Sequence, residues 1–218
     1  KISDNFWEKR LNINKEITIP ATFKKSEETG RISNFSKAGG LEEGPFEGIF
    51  FNDSDVYKII EGASYSLQVK PDPNLKKYLD ELIDKIVSAQ EKDGYLYTNR
   101  TINPKKAADS AGVNRWTNLE IFHELYNVGH LYEAAVAHYK ATGEKKLLDV
   151  AIKNANLVYK VFGPDKNYGV PGHQEIEIGL VKLYRVTGDS KFLDLAKFFI
   201  DQRGRNKNKR IGQDSAST

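Results

Sequence analysis

A chain of 218 residues, 39% hydrophobic and 29% charged, is long enough to bury one sizeable core and lacks the composition of a disordered segment. Its 33 basic and 30 acidic residues leave a net charge of only +3, spread along the chain, which makes nucleic acid and anionic membrane poor candidate partners. No run approaches the roughly 20 apolar residues of a membrane-spanning helix, and the absence of Cys excludes a disulfide framework, a thiolate nucleophile and a cysteine metal site within these residues.

In chain order, residues 1–52 read as an irregular arm with loops. They hold a short apolar alternation at Ile13, Ile17 and Ile19, a charged stretch from Lys24 to Glu28, and glycines at 39, 40, 44 and 48. A first helix is predicted from the cap cluster Asn52-Asp53-Ser54-Asp55, followed at helical spacing by Val56, Ile59, Ile60, Ala63 and Leu67. Pro71-Asp72-Pro73-Asn74 stops it and opens a second helix, whose stripe is Leu75, Leu79, Leu82, Ile83, Ile86 and Val87 and which ends near Asp93-Gly94. A loop over residues 94–115 follows, long enough to suggest function.

The third predicted helix, 117–142, is apolar nearly all round, as an element covered on several sides must be. A fourth spans 145–161, a fifth 174–186 and a sixth 191–202. The stretch from Arg203 to Arg210 reads as a solvated loop or terminus rather than a phosphate-binding arm. The predicted organisation is an arm at 1–52, a helical array at 53–204 and a polar tail at 205–218. The start at Lys1-Ile2-Ser3 has no signal-peptide core, and the absence of Met suggests a processed or truncated chain, or modified methionines missing from the sequence.

Two segments 45 residues apart are near copies: Tyr139-Lys140-Ala141-Thr142-Gly143-Glu144 and Tyr184-Arg185-Val186-Thr187-Gly188-Asp189. Each joins the end of one helix to the start of the next, and such a period marks stacked helical hairpins that complete their cores against their neighbours. The predicted fold is all-α, with three hairpins forming part of an (α/α)6 barrel.

Few residues offer chemistry. His123 and His173 lie near the starts of the third and fifth helices, and repeat geometry brings such starts to one end of the array. Taken singly, they read as a buried histidine and a helix-capping one. His130 reads as a packed residue beside Gly129, and His138 as structural or exposed. Asp53 and Asp55 read as helix caps, as does Glu175 near a helix start. There is no phosphate loop, nucleophile elbow or metal-ligand spacing, while the aromatics Phe50, Phe51, Tyr57, Tyr95, Tyr97, Trp116 and Tyr168 cluster near loops and suit sugar rings.

Four segments, taken together, resemble the signature segments of the β-L-arabinofuranosidase-type glycoside hydrolases of family 127. They are Phe50-Phe51-Asn52-Asp53-Ser54-Asp55-Val56-Tyr57-Lys58, Ala89-Gln90-Glu91-Lys92-Asp93-Gly94-Tyr95-Leu96, His123-Glu124-Leu125-Tyr126 with Gly129-His130-Leu131, and Gly172-His173-Gln174-Glu175-Ile176-Glu177. The resemblance runs from about Asn34 to Gly204 in order and spacing.

It implies a retaining hydrolase of terminal L-arabinofuranosyl residues on plant-type glycans, with His123 and His173 binding sugar hydroxyls and Asp53 and Asp55 near the same pocket. It also implies a zinc-bound cysteine nucleophile and a glutamate acid/base, neither of them within these residues. Zinc is thus expected in a full-length enzyme but on no residue of this chain, and the remainder of the barrel is an expected partner. Export to the periplasm or the medium is the implied localisation, with the cytoplasm as the other option. The alternative is a noncatalytic α-hairpin module that binds glycan or protein.

Overall fold

The structure, a computed structural model, describes residues 4–105, 114–203 and 205. The regular elements among the described residues are all helices, with a single isolated bridge, Phe162 to Asn167, in place of any strand. No helix among them is long and apolar enough to cross a membrane.

The N-terminal region departs from the expected irregular arm. It forms α1 (Trp7–Ile13), a π-helical turn (Asn14–Thr18), α2 (Ile19–Glu28) and α3 (Arg31–Ala38). Pro20 sits in the first turn of α2, where its missing N–H costs nothing. Ile19, Phe23 and Ser26 then bury one narrow stripe, and Ile32 and Phe35 continue it in α3. The polar residues between them hid a helical period that is anchored by only two or three side chains per helix.

Three hairpins follow. α4 (Asn52–Val69) pairs with α5 (Pro73–Ala89), α7 (Glu124–Thr142) with α8 (Lys146–Val161), and α9 (Ile176–Thr187) with α10 (Ser190–Gln202). A short helix, α6 (Thr98–Ile102), interrupts the predicted crossing loop, part of which lies outside the described residues, as does nearly all of the predicted tail. α7 packs between α4 and α9, while α5, α8 and α10 form a second row behind them. This two-layer array is part of an (α/α)6 barrel. The all-round apolarity of α7 is thereby explained: Leu125, Val128, Leu131, Ala134, Ala135 and Val136 are all buried because the helix is flanked on both sides and backed by α8.

The sequence repeat is a repeat of hydrogen bonds. The N–H of Gly143 donates to the Tyr139 carbonyl and that of Gly188 to the Tyr184 carbonyl, both at 2.8 Å. The Thr142 hydroxyl donates to the carbonyl of His138 and the Thr187 hydroxyl to that of Leu183, again both at 2.8 Å. Both glycines are left-handed, at φ 78° and 73°, and end their helices as the αL cap requires. Between the inner helices, a Cβ on Gly179 would come within 2.7 Å of the Gly129 carbonyl, so α7 and α9 approach backbone to backbone.

Candidate functional site at the N-terminal ends of the inner helices

The predicted third helix begins later than its apolar run suggests. Residues 117–123 form turns, and His123 is the N-cap of α7 in the left-handed region, at φ 59°. That conformation carries the imidazole out of the helix toward the loop before α9. His123 Nε2 lies 3.0 Å from His173 Nε2, and only one proton fits between the two nitrogens. His123 Nδ1 is bonded to the Ile121 carbonyl, which fixes the ring. Burial, the neighbouring His173 and Lys58 outweigh that carbonyl and lower the pKa of His123 below the usual histidine value, so it is neutral at pH 7.

Aromatic rings frame the pair. The His123 ring lies 5.3 Å from Phe50, 5.2 Å from Phe51 and 5.2 Å from Tyr126, and Tyr126 lies 5.0 Å from His173. His173 is exposed and His123 half-buried, so the pair stands on the open end of the array. Two clefts among the described residues lie elsewhere. One of 570 Å³ opens between α8 and α10 beside Phe162 and Phe198, and one of 860 Å³ between α1 and α4 beside Leu11 and Tyr65.

A buried polar frame holds these loops. Asn127 accepts from the Ser54 N–H at 2.9 Å and donates to the His123 carbonyl at 3.0 Å, locking the first turns of α4 and α7 together. Glu124, 1% exposed, accepts from the Tyr95 hydroxyl at 2.6 Å and the Trp116 N–H at 2.9 Å. Burial raises its pKa against those bonds. A Cβ on Gly172 would meet the Glu120 carbonyl at 2.2 Å, so the loops carrying the two histidines touch.

The aspartates do not cap their own helix. The N-cap of α4 is Phe51, without a side-chain cap bond. Asp53 is 1% exposed and accepts from the Thr98 N–H at 2.8 Å and the Thr98 hydroxyl at 2.5 Å, holding the start of α6. Burial raises its pKa to about 6. Asp55 accepts from Arg31 Nε at 3.0 Å. Both lie in the first turn beside the histidine pair, and the helix dipole favours their charge there. Their oxygens, however, are engaged by Thr98 and Arg31.

Sequence reading missed a group just behind the pair. His130 Nδ1 lies 3.1 Å from Glu175, and burial lowers the His130 pKa to about 4. Burial, then a hydrogen bond with Glu133, raises that of Glu175 to about 8, so Glu175 holds its proton at neutral pH. Lys182 bridges Glu133 and Glu61. Glu175 is therefore no simple helix-start acid, and only the i, i+3 pair His130/Glu133 was visible in the sequence. A second such group, Asp80, His138 and Glu144, lies at the far end of α7, and His138 is fully buried.

All 218 residues match the family model described as the β-L-arabinofuranosidase, GH127 catalytic domain. The chain belongs to this family. It is 42% identical over 177 residues to a non-reducing end β-L-arabinofuranosidase of Bifidobacterium longum subsp. longum, covering 80% of this chain and 26% of that one. A solved GH127 β-arabinofuranosidase superposes with a TM-score of 0.89 at 53% identity, covering 95% of this chain and 33% of that one. A GH127 β-L-arabinofuranosidase from Geobacillus stearothermophilus T6 superposes with a TM-score of 0.89 at 40% identity over the same shares. This chain thus spans a quarter to a third of the length of those relatives.

The thiolate zinc site that the GH127 resemblance implies does not fit these residues. The chain has no cysteine, and its two histidine–carboxylate groups offer only nitrogen and oxygen donors.

Proposed function

We propose that this chain supplies the histidine wall of a retaining β-L-arabinofuranosidase site, and that the nucleophile, its zinc and the acid/base come from residues outside it. The observation that supports this most directly is the His123–His173 pair, 3.0 Å apart and framed by Phe50, Phe51 and Tyr126. His123 Nδ1 gives its proton to the Ile121 carbonyl, which leaves Nε2 to accept from one sugar hydroxyl, while His173 Nε2 donates to another as the sugar replaces the contact between the two rings. Two imidazoles fixed side by side orient neighbouring hydroxyls of one furanose ring, while the aromatic faces cover its C–H surface. Asp53 and Asp55 act through Thr98 and Arg31, holding the wall in place. The substrate is then a terminal L-arabinofuranosyl residue of a plant-type glycan, and the remainder of the barrel closes the pocket.

The test uses the full-length protein carrying this chain, assayed for L-arabinose release from a β-L-arabinofuranoside. His123→Ala and His173→Ala should each lower kcat/KM by about a hundredfold, the scale of lost substrate positioning, with an unchanged melting temperature. Wild-type activity in His123→Ala would refute the assignment. If the wild type binds glycans but hydrolyses no furanoside, the chain is instead a binding module.

A further inference from the structure

At the end of α7 away from the histidine pair, three side chains from distant parts of the sequence converge. Asp80 on α5, His138 on α7 and Glu144 in the α7–α8 turn each place one nitrogen or oxygen within 4.8 Å of the others'. His138 and His123 are separated by fifteen residues of helix, about 22 Å at 1.5 Å per residue, so this group is remote from the candidate sugar site.

Two observations mark the group as more than a surface cluster of acids. First, His138 is 0% exposed, and neither ring nitrogen has a hydrogen-bond partner among the described residues. An unsatisfied buried polar group is unfavourable, and packing does not require one here. The repeat position in the next hairpin is Leu183, which is equally buried.

Second, the repeat breaks again at Glu144. Its counterpart Asp189 accepts from the Lys191 N–H at 3.2 Å and caps α10. Glu144 makes no such cap, and the N-cap of α8, Lys145, has no side-chain cap bond. Glu144 and Asp80 instead both reach Lys76 Nζ, at 2.5 Å and 2.9 Å. The two carboxylates therefore already surround a cation, with the unpartnered imidazole beneath them.

We propose that Asp80, His138 and Glu144 form a binding site for a divalent transition metal of the zinc class, tying α5 to the α7–α8 turn. One imidazole nitrogen and two carboxylates favour zinc over magnesium or calcium, which prefer oxygen alone. Zinc bonds of about 2.0–2.2 Å require the two carboxylates to close on the imidazole. Both are half-exposed and can rotate, with Lys76 swinging out to solvent. Lys76 is thus the metal's competitor.

The experiment is calorimetric titration of the metal-stripped full-length protein with zinc chloride, and separately with magnesium and calcium chloride. His138→Leu, the substitution the repeat itself supplies, should bind one zinc equivalent fewer than wild type and keep the fold by circular dichroism. Lys76→Ala should bind that equivalent a few-fold to about tenfold more tightly, because two half-exposed ion pairs no longer compete. Magnesium and calcium should not occupy the site. If His138→Leu does not fold, Glu144→Gln, at a half-exposed position, carries the same comparison. The site is refuted if wild type binds no zinc, or if the folded variants take up as much zinc as wild type with equal affinity.

Discussion

The two ends of the inner helices obey different rules. At the C-terminal ends of α7 and α9, the Thr-Gly turns repeat bond for bond and at equal lengths. At the N-terminal ends no two hairpins agree: α4 starts behind Phe50 and Phe51, α7 at a left-handed histidine, and α9 after a loop that carries His173. The end that repeats builds the array. The end that varies is free to carry polar groups that packing does not need, because loop geometry there is not tied to the stacking period. His138 and Glu144 are the exception, a departure from the repeat within the repeating end.

The contact on which both ends depend is the Gly129–Gly179 crossing, and breaking it should have the largest effect. A Cβ at Gly129 would lie 2.8 Å from the Ile176 backbone nitrogen, which no side-chain rotation relieves. Gly129→Val should cost more than about 3 kcal/mol in urea denaturation and abolish any distinction between the ends. A loss below 1 kcal/mol would show that the inner helices can slide apart without penalty.

The variable end should also show its cost in pH dependence, through Asp53. Its folded pKa of about 6 exceeds the ordinary 3.8, so the native state holds this proton more tightly than the unfolded chain does. Stability from this group is therefore complete below about pH 4 and falls as pH rises through about 6, by up to about 3 kcal/mol at 1.36 per unit. Asp53→Asn keeps an oxygen for the Thr98 N–H and removes the titration. Subtracting its stability curve from that of wild type should leave a falling slope between pH 4 and 6.5, whereas parallel curves would mean that the bonds from Thr98 fully offset burial.

This division also explains what the sequence made legible. Hairpin pairing, the inner position of α7 and the three helix pairs followed from apolar period and the Thr-Gly copies, because both are local and repeated. The helical N-terminal region did not, since α2 and α3 bury only short stripes around Phe23 and Phe35. His123 and His173 were found as candidates, but their 3.0 Å approach depends on a left-handed backbone at a non-glycine residue, which spacing cannot announce. Asp53 looked like a cap because its partner, Thr98, lies 45 residues away. Glu175 and His138 were passed over for the same reason, since their significance lies in groups from other helices.

The repeating end predicts smaller and equal effects. No atom lies within 4 Å of a Cβ built on Gly143 or on Gly188, so Gly→Ala at either meets only the cost of a left-handed backbone. Each should lose roughly 1–2 kcal/mol, and the two losses should agree within about 0.5 kcal/mol. Unequal losses in chemical denaturation would mean that the two turns, alike in bonds, are held by different surroundings.

The smallest effects separate the two acids that follow those glycines. Asp189 caps α10, so Asp189→Ala should lower the denaturation midpoint clearly more than the loss of Glu144 does. In metal-free buffer Glu144→Ala should cost only a few tenths, because what it loses is a half-exposed ion pair with Lys76. The contrast bears on why the repeat departs here at all. A residue that has given up capping and gains little from its ion pair is not maintained by the stability of the metal-free fold. If Glu144→Ala instead proves as costly as Asp189→Ala, the departure is structural, and Glu144 is a strut between α5 and the turn rather than a ligand in waiting.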